Sequence, residues 1–169
     1  MVAAGVLPLV AAGCTTVVPG SPGAASWGSI HPAGLEADVL PDECLLTADE
    51  FAELVDVPVQ PPDQGTIERG DGSRSGGCVV NAGAEPVALL NVYMVRAGTP
   101  ADYVRAAGTA GRRELPGVGV GAAVIGTAAG PTLQLASERY LVTILVSGRT
   151  PSDEEWRAAA EAALASLPA

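Results

Sequence analysis

"TLQLASERYLVTILVSG", residues 132–148, decides the fold. Two apolar runs flank Ser137, Glu138 and Arg139, a polar group of the size of a tight turn, so the stretch reads as a β-hairpin. In its second arm Tyr140, Val142, Ile144 and Val146 fall on one face, and Leu141, Thr143, Leu145 and Ser147 on the other. Working back from it, "PVALLNVYMVRA" (residues 86–97) is a long strand and "GCVVNA" (residues 77–82) a short one. Three helix starts separate these runs. "TADEFAELV" opens with Thr47 and Glu50 as a capping box, then places Phe51, Leu54 and Val55 on one face. "TPADYVRAAG" has Thr99 at the cap, Pro100 at the first helical position and Asp102 in the first turn. "SDEEWRAAAEAALASL" pairs Ser152 with Glu155 and carries Trp156, Ala159, Ala160, Ala163, Leu164 and Leu167 along one stripe. Its acidic first turn, Asp153 to Glu155, suits the positive end of the helix dipole and needs no bound cation to explain it. Helices interleaved with hairpin strands predict an α+β fold. The expected form is an antiparallel sheet of about four to five strands with helices packed largely on one face.

Composition narrows the function. The 169 residues suffice for one domain with its own core. Apolar residues make up 48% of the chain, yet only 4% are aromatic, so Val, Leu, Ile and Ala must build that core. All nine basic residues are arginine; with the excess of Ala, Gly, Val and Pro, this points to a high-GC bacterial genome, of the actinobacterial kind. The net charge is −10 and the adjacent pair Arg112-Arg113 is the one basic cluster. Nucleic acids and anionic lipid headgroups both demand a concentrated basic footprint, so neither is an expected partner.

The first charged residue is Glu36. Before it, Val2 to Gly13 form an uncharged, largely apolar run of signal-peptide length, too short to span a bilayer. The run ends on Ala11-Ala12-Gly13-Cys14, which resembles the lipobox of bacterial lipoproteins. Small residues suit a protease that must grip extended backbone beside the scissile bond. The resemblance implies that Cys14 is lipidated and becomes the mature N-terminus. Ala11 stands where Leu is commonest, and a positive n-region is missing ahead of the apolar run, so we expect an Arg-bearing segment upstream of Met1. Residues 14–40 are rich in Pro, Gly, Ser and Ala and read as the lipidated cysteine plus a flexible tether. Residues 1–13 are thus the signal peptide and 41–169 the folded domain.

With Cys14 assigned to lipid, Cys44 and Cys78 remain as an even pair in an exported chain. A structural disulfide is favoured over free thiols in that compartment. A redox pair or a metal site fits less well: the two are not in C-x-x-C spacing, and the single histidine, His31, lies in the tether beside Pro32. The order "PDECLLTADEFAEL", "GGCVV", "ELPGVGVGAAV", hairpin and final helix resembles a family of small actinobacterial cell-envelope lipoproteins with a two-cysteine domain of no settled function. That resemblance matches Cys44 before the first helix, Cys78 at a strand start and the turn Pro116 to Gly119; this chain has Val120-Gly121 where an acidic residue is often seen. It carries no catalytic residues across.

Other motifs have plain explanations. "GVGVGA", Gly117 to Ala122, fits a dinucleotide-loop pattern but follows Pro116 and leads into a poor helix sequence, so we read a turn. Arg69-Gly70-Asp71 is an adhesion tripeptide, and a turn over Gly70, Asp71 and Gly72 accounts for it equally well. Acidic pairs such as Asp42-Glu43 and Asp49-Glu50 read as surface or capping residues. With no histidine between residues 41 and 169, we expect no enzyme, no catalytic residue, no cofactor and no metal. The expected protein is a non-catalytic envelope lipoprotein, exported and anchored by lipid to the outer face of the plasma membrane. It would bind a partner protein or an apolar envelope ligand. An accessory or sensor module without a ligand is the alternative, and a carboxylate-based envelope enzyme a weaker one.

Overall fold

The computed structural model describes residues 34–68, 74–108 and 111–168. The signal peptide, Cys14, His31, most of the tether and the Arg69–Asp71 tripeptide lie outside them. Among the described residues eight strands form one antiparallel sheet: β1 (Leu35–Glu36), β2 (Asp63–Glu68), β3 (Arg74–Ala82), β4 (Glu85–Val95), β5 (Arg113–Glu114), β6 (Gly121–Thr127), β7 (Gly130–Ala136) and β8 (Tyr140–Val146). The spatial order is β2-β3-β4-β8-β7-β6-β5, with β1 on β4. Helices α1 (Ala48–Val55), α2 (Pro100–Ala106) and α3 (Asp153–Ser166) complete the domain. The anticipated hairpin is β7–β8, and its turn is pinned by Ser137, whose Oγ accepts from the Arg139 and Tyr140 amides. Each helix begins in a capping box, Thr47–Glu50, Thr99–Asp102 and Ser152–Glu155.

Two parts of the expected architecture are corrected. The sheet has eight strands rather than four to five, and the helices do not gather on one face. Strand β6 is buried on both sides, with Ala122 and Val124 facing one core cluster and Ala123 the other. A small-residue strand covered on both faces shows no alternation, so residues 121–127 carry no strand signal of their own. Strand β2, "DQGTIE", is a polar edge strand in which Gly65 stands opposite Gly77, so packing leaves little pattern in its sequence.

The larger core lies on the face bearing Leu90, Val92, Leu133, Leu135, Val142 and Ile144, against Phe51 of α1 and Trp156 of α3. The opposite face carries Ala136, Leu141 and Tyr93, and α2 covers it with Ala101 and Val104. The reason is legible in β8 once the sheet is known. Leu141 and Leu145 are apolar on the second face, and such a face cannot be left entirely to water.

Residues 38–44 wedge into a split in the sheet. Strand β3 leaves β4 after the pair Cys78–Leu90, while β1 joins β4 only at Met94 and Val95. Val92 falls in the gap, and its amide donates instead to Glu43 Oε2 at 3.0 Å. Asp38 does the same for β3, accepting from the Gly76 amide, and Gln64 Oε1 takes the Glu43 amide at 2.8 Å. Two side-chain carboxylates thus stand in for missing ladder carbonyls. Beside them Cys44 is bonded to Cys78, S–S 2.08 Å and Cα–Cα 4.9 Å, joining the approach to α1 to the sheet.

Glu43 overturns its reading as a surface residue: it is 0% exposed, and Oε1 has no partner. Burial raises its pKa above the ordinary 4.5, and the charge of nearby Asp38 adds to the rise, against the lowering effect of the Val92 and Asp38 amides. The folded chain therefore keeps this proton to higher pH than the unfolded chain does. Its contribution is fully present below the unfolded value near 4.5 and is lost as pH rises through the folded one. Glu43→Gln keeps the Val92 acceptor but cannot ionise. Urea unfolding across pH 4.5 to 8 should show the wild type losing stability relative to this variant as pH rises. Parallel curves would refute the assignment.

Candidate ligand cavity

Between α2 and the sheet lies an open cavity of about 470 Å³. Its floor comes from four strands: Tyr93 of β4, Leu141 and Thr143 of β8, Gln134 of β7 and Ile125 of β6. Antiparallel register brings them together, since Gln134 pairs with Thr143 and Tyr93 with Leu141. One wall is α2 and the turn after it, through Asp102, Tyr103 and Ala106 to Gly108. Leu35 of β1 and Ala97 after β4 supply the other. Helix α2 has only seven residues, so it covers part of the face and leaves the remainder hollow. The size falls in the range of small-molecule sites, about 300–1,000 Å³.

The second wall depends on Gly34. Its φ is +111°, its carbonyl accepts from the Arg96 amide at 2.7 Å, and a Cβ there would stand 2.7 Å from Tyr103 Oη and 2.9 Å from Ala97 Cβ. Only glycine lets the chain pass this close to α2.

Among the described residues, Asp102 is the one Asp, Glu or Arg lining the cavity. Its carboxylate accepts from Thr99 Oγ1 at 2.7 Å and from the Thr99 amide at 2.9 Å, and it pairs with Arg105. The Thr99 hydroxyl first, then Arg105, holds its pKa below the ordinary carboxylate value. At neutral pH it is therefore a committed anion, not a proton donor. Along the floor, Gln134 Oε1 is shielded from solvent and has no hydrogen-bond partner.

Most residues singled out from sequence have structural duties. Asp42 Oδ1 accepts from the Cys44 amide, and Glu50 closes the α1 cap. Arg112 donates to the Val104 carbonyl and pairs with Glu114, while Arg113 pairs with Asp153. Glu155 caps α3 and binds Arg149, and the Ser152 amide foremost lowers its pKa. A strand, β6, follows Gly117–Val120, so no helix N-terminus opens there. Gly119 instead has φ +56°, and a Cβ on it would come 2.5 Å from the Ala136 carbonyl oxygen. None of these residues lines the cavity. The lining residues were missed because strand register and the placement of α2 assemble them from distant segments; the apolar second face of β8 was their one signal.

Among the described residues no cluster of three or more His, Cys, Asp or Glu could hold a metal ion. No helix of those residues is long and apolar enough to cross a membrane. Comparison with known proteins adds no relative: no family model, curated protein or solved structure matches the chain.

Proposed function

We propose that this protein is an exported lipoprotein, held at the outer face of the plasma membrane through Cys14, whose domain binds an apolar ligand without catalysis. The observation that carries the binding role is the cavity between α2 and the sheet, with its largely apolar lining. The anchor rests on the apolar run and Ala11–Cys14. The Cys44–Cys78 bond supports an oxidising compartment.

Binding of the uncharged dye Nile red to the full chain tests the first part. Ala106 is exposed on the cavity wall, so Ala106→Trp should fill the space without disturbing the core. We expect about tenfold weaker dye binding, with unchanged circular dichroism and unfolding midpoint. Absence of binding, or binding indifferent to the tryptophan, would refute the ligand role and leave an accessory module. Intact mass from an actinobacterial host tests the anchor. A chain starting at lipidated Cys14 and gaining two daltons on reduction is the expected result; an unmodified Met1 with three free thiols would overturn it.

A further inference from the structure

The floor of the cavity has a polar row. Register aligns Ala123, Gln134, Thr143 and Asn91 across β6, β7, β8 and β4. The row on one side is Gly121, Ala136, Leu141 and Tyr93; on the other it is Ile125, Thr132, Leu145 and Leu89. A sheet face that only had to pack under α2 would be served by Leu or Val at the centre of this row. Here Gln134 and Thr143 stand directly opposite each other and both line the cavity. The Gln134 carboxamide oxygen has no hydrogen-bond partner in the fold, so a donor brought to it by a ligand would be its first. Leaving such an oxygen unpaired is costly, and a ligand donor would recover part of that cost.

Charge settles which head group suits the row. Among the described residues no arginine lines the cavity; Arg105 of α2 and Arg96 after β4 are paired with Asp102 and Glu36. Asp102 itself presents a fixed negative charge to the cavity. An anionic head would be repelled by it and would meet no cation among the described lining residues. A cationic head would have to displace Arg105. A hydroxyl or amide needs neither, and can both donate to and accept from Gln134 and Thr143.

Resting on the apolar-ligand reading above, we infer that the cavity selects a neutral amphiphile, an alkyl body with one uncharged hydroxyl or amide head seated over Gln134 and Thr143. Calorimetric titration of the full chain with 1-decanol, decanoate and decyltrimethylammonium at pH 8, each below its aggregation limit, tests this. The three probes share one alkyl chain and differ in the head. Decanol should bind about tenfold tighter than either charged probe. The double variant Gln134→Leu with Thr143→Val should lose that preference, while an unchanged circular dichroism spectrum and unfolding midpoint show that it is folded. Decanoate binding as tightly as decanol, or the cation binding best, would overturn the inference and leave the apolar-ligand reading standing. A preference for decanol that survives in the double variant would also overturn it. If neither the dye nor any probe binds the wild type, the apolar-ligand reading itself fails.

Discussion

Replacing Cys44 and Cys78 together by alanine is expected to cost the domain about 3–4 kcal/mol, from the 34-residue separation that the bond closes. The physical case is stronger than loop entropy alone. The closed loop contains α1 and the β2 edge strand, and residue 44 ends the wedge that fills the split between β3 and β4. Without the bond, residues 38–44 would be held there by the Asp38 and Glu43 side chains and by the packing of Val39, Leu40, Leu45 and Leu46. Cys78 is fully buried and Cys44 partly so, and alanine introduces no polar group at either place. Urea unfolding of the double variant beside the oxidised wild type measures the loss. A difference below about 1 kcal/mol would mean that the core holds the wedge unaided.

Trp156→Ala should be at least as damaging, about 3–5 kcal/mol. Among the described residues Trp156 is the largest fully buried side chain, and it sits in the cluster that joins α1 and α3 to the sheet. Its neighbours on α3, Ala159, Ala160 and Ala163, are small. They let the helix lie close to the sheet but cannot close the void that a lost indole would leave. The indole Nε1 is buried without a hydrogen-bond partner. Trp156→Phe therefore sacrifices no hydrogen bond, and its loss should be clearly smaller than that of alanine. Unfolding followed by circular dichroism resolves the two. Equal losses would show that volume is not what Trp156 contributes.

Local chemistry explains why parts of the fold could be read early. A capping box needs two residues three apart, and all three helix starts follow from Thr47, Thr99 and Ser152. The turn after Ala136 follows from a Ser placed between two apolar runs. Glu43 shows the opposite case. Next to Asp42 in sequence it reads as surface, yet it is buried because a gap between β3 and β1 leaves the Val92 amide in want of an acceptor. A gap in a ladder is a property of three segments at once, and no window around Glu43 contains it.

The chain by itself determined its caps, its central hairpin and its small-residue helix α3. Each of these is decided by neighbours in sequence. The tertiary structure alone decided that α2 crosses to the second face, that β2 and β6 extend the sheet, and that Gln134 meets Thr143 on the floor of a cavity. Periodicity tells which side of a helix or strand is apolar, but not which of two apolar sheet faces receives it. That choice is made by burying the most surface across the whole molecule. Here a seven-residue helix covers a wider face, and the uncovered remainder is the cavity.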